Sequence, residues 1–219
     1  MKEIIQYILY FHAISGGIAL LSGLIAIATK KGSKKHILSG SVYFWAMLSV
    51  IITGLIVGFY RNNIFLQTIA IFSFYMAFTG KRVLRYKKEI KPSPPDWSVN
   101  FIALNGALFM LYLGIINGMR VGFSGAVPML MVFGIFLLVM AVEDFRKMWR
   151  KKFVKNDWLL THIGRMGGSF IATSTAFLLV NIHFDPAWVM WLLPTVVGTP
   201  MIISASKKWK KKMNPQKVK

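Results

Sequence analysis

The chain has 219 residues, 55% of them hydrophobic and only 16% charged, where soluble domains carry about 25% charged residues. It contains no cysteine, which excludes disulfides, thiolate metal sites and cysteine nucleophiles. The formal net charge of +20 falls in the gaps between long apolar runs, without the aromatic interleaving of RNA-binding surfaces, so no nucleic-acid partner is expected.

Seven apolar segments follow one another at 4–28, 37–60, 64–84, 98–118, 122–145, 158–182 and 187–205. At about 1.5 Å rise per residue, each can cross a hydrocarbon layer of about 30 Å. There the backbone must satisfy its own hydrogen bonds, so helices are required. The expected fold is one all-α integral membrane domain over 1–205, a seven-helix transmembrane bundle, followed by a basic tail at 206–219.

Segment 1 carries His12 a third of the way in, then the small residues Ser15, Gly16, Gly17 and Gly23, which allow close helix approach. Its length and its following positive flank, Lys30 and Lys31, argue against a cleavable signal. The loop TKKGSKKH (29–36) leads into segment 2, which opens on His36 and continues through Ser39 and Gly40. Segment 3 holds Gln67, and the basic stretch 81–97 follows it. Segment 4 holds Asn100, Asn105 and Asn117, and segment 5 closes on Glu143 and Asp144. After the basic loop 146–157, segment 6 holds His162, Gly164, Arg165, Gly167, Gly168 and the run Thr173–Thr175, and ends at His183. Segment 7 contains Pro194, Gly198 and Pro200, which predict a kink.

Of the 27 Lys and Arg residues, 23 lie in the loops at 29–36, 81–97 and 146–157 and in the tail. By the positive-inside rule this places the N-terminus outside and the C-terminus in the cytoplasm. Trp97, Trp149, Trp158, Trp188, Trp191 and Trp209 fall at segment ends, as an aromatic belt requires. The tail is read as an orientation signal that also meets anionic headgroups, each nearby Lys gaining about 1 kcal/mol.

Two stretches carry candidate chemistry. KKHILSG (34–40) and LTHIGRMGG (160–168) each place a histidine where a basic loop enters an apolar helix, with small residues just beyond. An even number of spans separates them, so the two helices run in the same direction, as distant copies of one unit would. Neutral imidazoles on two helices suit the axial positions of a haem iron, or a divalent metal. His36 and His162 are therefore the expected ligands of a b-type haem or a metal. Gly40 and Gly167 would leave room for the macrocycle, and Arg165 would meet a propionate. Counting from the segment starts, the two histidines differ in depth by roughly 6 Å. A zinc hydrolase would need a further histidine in HxxxH or HExxH spacing, which is absent. The outer-side candidates His12 and His183 are mismatched in depth by about 12 Å.

Arg165 lies about two turns inside segment 6, where an unpaired charge costs a few kcal/mol, so a partner in Asp144 or Glu143 is expected. The alternative function is a small transporter or proton-linked carrier using Glu143, Asp144 and Arg165. A third possibility is a non-catalytic membrane protein in which these groups only orient helices. The polar residues in mid-span are accounted for by interhelical hydrogen bonds of about 0.6 kcal/mol each.

The run HAISGGIALLSGLIAIATKKGSKKHILSGSVYFWAML, with the later EDFRKMW and HIGRMGGSFIATSTAFLLVN, resembles a bacterial family of membrane proteins called domain of unknown function 2306. The positions matching its motifs are His12, His36, Asp144, His162, Arg165 and Met166. The resemblance implies a small multi-pass protein of the bacterial inner membrane. It brings no activity with it, and so no catalytic residues. Resemblance to seven-helix zinc hydrolases of the progestin-receptor or ceramidase type is limited to helix count and orientation.

Overall fold

The computed structural model describes residues 2–87, 91–123, 127–151, 157–185 and 188–213. Parts of the basic loops 81–97 and 146–157, the last six residues of the tail and the side chain of Trp188 lie outside the described residues. Among the described residues seven α-helices run in order: α1 Lys2–Ala28, α2 Lys34–Tyr60, α3 Ile64–Arg82, α4 Pro94–Val121, α5 Val127–Trp149, α6 Asp157–Asn181 and α7 Trp188–Met213. A 3-10 turn, Val83–Lys87, continues α3. No strand occurs among the described residues. Among the described residues six helices, α1, α2 and α4 to α7, are individually long and apolar enough to cross a membrane, so the chain is a multi-pass helical membrane protein.

The helix starts are set locally. Ser33 accepts the amide of His36 at 3.2 Å to cap α2, and Asn63 accepts that of Leu66 at 3.1 Å to cap α3. Ser93 and Asp96 start α4, where Asp96 Oδ2 accepts the Ser93 amide at 2.8 Å and Pro94 and Pro95 occupy the first turn. Gly32 takes a φ of +80° in the tight α1–α2 connection, a conformation that favours glycine. α7 passes through Pro194 and Pro200 and runs on to Met213, so the first half of the expected tail is helix. Its lysines at 210–212 lie in the last turn, where cations complement the helix dipole.

Packing gives a four-helix bundle with additions. α1 packs on α2, α2 on α3, α3 on α6, and α6 returns to α1. Among the described residues no Cα of α2 comes within 8 Å of one in α6, nor of α1 with α3. These two pairs are the diagonals. The α4–α5 hairpin packs against the outside of α3, and the α7 backbone lies against α6, with Trp191 reaching Phe133 of α5. Gly167 of α6 receives Ile202 of α7 and Gly198 of α7 receives Ile171 of α6. A Cβ on either glycine would stand 2.7 or 2.6 Å from the isoleucine, so each glycine admits the partner helix.

This arrangement explains why α3 has the least need of a lipid-compatible surface. From Leu66 to Val83 none of its residues is exposed. One apolar core joins Tyr75 and Met76 of α3 to Ala107 and Met110 of α4 and Leu137 and Ala141 of α5. The other joins Ala19 of α1, Tyr43 and Met47 of α2 and Ala70 of α3, with Met166 and Phe170 of α6 against it. The opposite faces of α1, α2, α4 and α5 expose large apolar side chains such as Tyr7, Leu21, Ile52, Phe101 and Phe136, a surface suited to lipid.

Candidate functional site

The diagonal helices α2 and α6 meet through side chains. The rings of His36 and His162 face each other across the bundle, with centroids 6.4 Å apart and planes at 82°. Two turns along, Tyr43 Oη lies 2.8 Å from Ser169 Oγ. One further turn along, Thr173 Oγ1 donates to Met47 Sδ at 3.2 Å. All three pairs are separated by 126 residues. The steps of 0, 7 and 11 residues keep to one face of a 3.6-residue helix. Two parallel helices in register therefore present matching faces to the core. The roughly 6 Å depth difference expected from segment starts does not arise, because α6 begins earlier relative to its histidine than α2 does.

Each imidazole is held from the other diagonal. His36 Nδ1 is 2.9 Å from Ala26 O of α1, and His162 Nδ1 is 2.7 Å from Gly80 O of α3. Ala26 and Gly80 each lie two residues before the last residue of their helix, among the carbonyls that a helix leaves without an internal partner. A carbonyl oxygen only accepts, so Nδ1 of each ring carries the hydrogen. In the neutral ring Nε2 is then the free lone pair. Among the described residues no hydrogen bond reaches either Nε2. A backbone carbonyl that fixes the tautomer in this way also orients histidines in metal sites, and the negative ends of two helix dipoles strengthen the two bonds.

Arg165 belongs to a different cluster. Its guanidinium is buried and passes 5.1 Å from the Tyr75 ring centroid. Nη2 donates to Asp144 Oδ2 at 2.9 Å, which also accepts from Tyr75 Oη at 2.6 Å. Asn100 Nδ2 donates to Tyr75 Oη at 3.1 Å and to Ala141 O at 2.9 Å. Two buried atoms in this cluster, Arg165 Nη1 and Asn100 Oδ1, have no partner among the described residues. Glu143 is exposed on α5 and takes no part. The pair clamps α5 to α6, whose own backbones do not touch, by way of Tyr75 of the central helix. The guanidinium is thus committed to Asp144, and the propionate role expected of it has no support in its placement.

Of the two glycines expected to make room for a macrocycle, Gly40 has no atom within 4 Å of where a Cβ would stand, whereas Gly167 is filled by Ile202 of α7. His12 bonds Thr53 Oγ1 of α2 at 2.8 Å. His183 is exposed and lines a shallow hollow with Leu179, Phe184 and Asp185, and the structure does not bring it to His12. Among the described residues no group of three or more His, Asp or Glu is placed to hold a metal ion.

The contributors that sequence reading passes over are Ala26 and Gly80, which act through backbone carbonyls, and Tyr43, Ser169 and Tyr75. Tyr43 and Ser169 carry a detectable signal, the same offset of seven from each histidine.

The fold and site define the class as a multi-pass membrane protein with two imidazoles, on parallel helices, meeting at one end of a four-helix bundle. No protein-family model, no curated protein and no solved structure matches the chain.

Proposed function

We propose that His36 and His162 bind one b-type haem on its two faces and that the protein exchanges electrons in a bacterial inner membrane. The observation that carries this reading is the 6.4 Å between the ring centroids, with both Nδ1 hydrogens tied to backbone. Imidazole nitrogens bind metals at about 2.0–2.1 Å and lie about 1.1 Å from the ring centroid, so imidazoles on opposite sides of one ion have centroids about 6.3 Å apart. Rotating either ring about its metal–nitrogen bond leaves both bonds intact, so the 82° between the planes is compatible. Two protein ligands also match haem, whose macrocycle supplies the rest, better than zinc, which takes three or more.

A haem held by His36 and His162 would supply one-electron exchange. The chain's part is to fix both tautomers, hold the rings at this spacing, and present the site from facing helices, as helix bundles characteristically do for cofactors. The lysine-rich end is assigned to the cytoplasm and the N-terminus to the outside by the positive-inside rule, with the loop and α7 lysines against anionic headgroups. The resemblance of the two histidine stretches to domain of unknown function 2306 supports the bacterial inner membrane.

The test is the absorbance spectrum and elemental analysis of detergent-purified protein made with ample haem. A Soret band that is lost in His36→Ala and in His162→Ala is expected. A wild-type protein with no Soret band removes the haem reading, and stoichiometric zinc or another divalent ion without porphyrin replaces it with a metal site at the same nitrogens.

A further inference from the structure

Four helices contribute to the polar cluster around Tyr75, and its internal bonds leave two requirements unmet. Arg165 and Asn100 are only 7% and 2% exposed, yet Arg165 Nη1 and Asn100 Oδ1 have no partner among the described residues. A buried polar atom left unpaired forfeits its hydration for nothing, and the loss is larger for a charged group. Both side chains belong to one hydrogen-bonded chain. It runs from Arg165 Nη2 through Asp144 Oδ2 and Tyr75 Oη to Asn100 Nδ2, with links of 2.9, 2.6 and 3.1 Å. Its two end groups also donate to consecutive carbonyls of α5, Nη2 to Met140 O at 3.4 Å and Nδ2 to Ala141 O at 2.9 Å. This shared footing on α5 holds the guanidinium and the carboxamide in one neighbourhood.

The unmet atoms ask for opposite things, since Nη1 needs an acceptor and Oδ1 a donor. Asp144 already matches the charge of Arg165, so an anion at Nη1 would bring a second, uncompensated negative charge into the core. Water is small and neutral and does both, and a buried water makes about three hydrogen bonds to groups the protein leaves unpaired. Entry is open on the carboxylate side, because the Asp144 side chain stays partly exposed while that of Arg165 does not. Polar groups continue from there towards the lysine-rich end. Burial, then the Asp96 carboxylate, push the Tyr86 hydroxyl up to about 12, and Asp144 adds to the effect, so this phenol feels both carboxylates.

We propose that the Tyr75 cluster is an internal water site, with water accepting from Arg165 Nη1, donating to Asn100 Oδ1 and entering past Asp144. The site is independent of any ligand at the histidines.

Radiolytic footprinting of the full-length protein in detergent tests it, because X-rays make hydroxyl radicals from bound as well as bulk water. Tyr75 and Tyr43 are a matched pair, 1% and 2% exposed. Tyr43 bonds Ser169 and has no unpartnered buried atom beside it among the described residues. Mass spectrometry is expected to find Tyr75 oxidised several-fold faster than Tyr43. The Asp144→Leu/Arg165→Leu double variant should lose that excess, and Asn100→Leu should reduce it. A wild-type Tyr75 oxidised no faster than Tyr43, or a folded double variant that keeps the excess, overturns the proposal. An excess that added chloride suppresses at Tyr75 alone assigns an anion to Nη1 and overturns it too.

Discussion

Tyr43 on α2 and Ser169 on α6 share a 2.8 Å hydrogen bond, each seven residues beyond the histidine that opens its helix. This bond locks the register in which the two imidazoles meet. An interhelical bond of this kind contributes about 0.6 kcal/mol in membrane proteins. Tyr43→Phe and Ser169→Ala are each expected to cost about that much in unfolding free energy, with the double variant costing little more than either single one. Denaturant titration in mixed micelles measures it, and fully additive losses would show that the two hydroxyls do not interact.

The Arg165–Asp144 pair is predicted to be costly to break and cheap to replace. Removing one partner of a buried pair leaves an uncompensated charge and costs about 3–5 kcal/mol. Asp144 retains partial exposure, 19% for its side chain, which puts the loss towards the lower end. Asp144→Leu and Arg165→Leu should each lower the melting temperature sharply, and the double variant should recover much of the loss. A double variant as unstable as the sum of the two singles would contradict the clamp.

Much of this architecture is legible in the sequence, and the illegible part has a physical reason. Seven apolar runs declare seven helices because a bilayer tolerates little else. The twin starts His36-Ile37 and His162-Ile163 declare two related helices, and the cost of a buried arginine declares that Arg165 needs a carboxylate. Which carboxylate depends on helix phase: Glu143 and Asp144 differ by about 100° around α5, and only Asp144 turns inward. That α3 is the central helix is hidden, since its composition resembles that of its lipid-facing neighbours. The carbonyls of Ala26 and Gly80 leave no trace in residue type, because every residue carries one.

Gly80 holds two roles at one position. A Cβ there would stand 2.9 Å from Met166 Sδ and 3.0 Å from Arg165 Cβ, so Gly80→Ala must push α6 away from α3. Overpacking of this kind costs about 1–3 kcal/mol, and the displaced carbonyl loses His162. The expected outcome is a moderate drop in stability with a larger drop in haem retention than His36-side packing variants give, read from the Soret-to-protein absorbance ratio. Equal haem retention in Gly80→Ala would separate the carbonyl from the function of the imidazole.

Topology is predicted at two points. With an odd number of crossings and the basic end inside, a fluorescent reporter fused after residue 213 should glow in the cytoplasm, and alkaline phosphatase at the same place should be inactive. The same enzyme fused in the α2–α3 turn at residues 61–63 should be active. The reverse pattern would put the histidine pair on the outer face.

Gly40 offers the sharpest separation of a cofactor site from a packing device. It lies one turn beyond His36 on nearly the same face of α2, and no atom stands within 4 Å of a Cβ built there. In the structure itself Gly40→Ala is therefore unobstructed, and helix propensity favours alanine by about 1 kcal/mol. The apoprotein should be as stable as the wild type or more so. If a macrocycle occupies that open space, the same methyl collides with it and haem affinity falls. Gly164→Ala is the control: it is equally unobstructed, but two residues after His162 it points roughly 200° away from that ring. Stability should rise in both variants while haem binding weakens only in Gly40→Ala. If haem binds both alike, the plane of the macrocycle does not pass Gly40, and the space beside it serves helix packing or lipid instead.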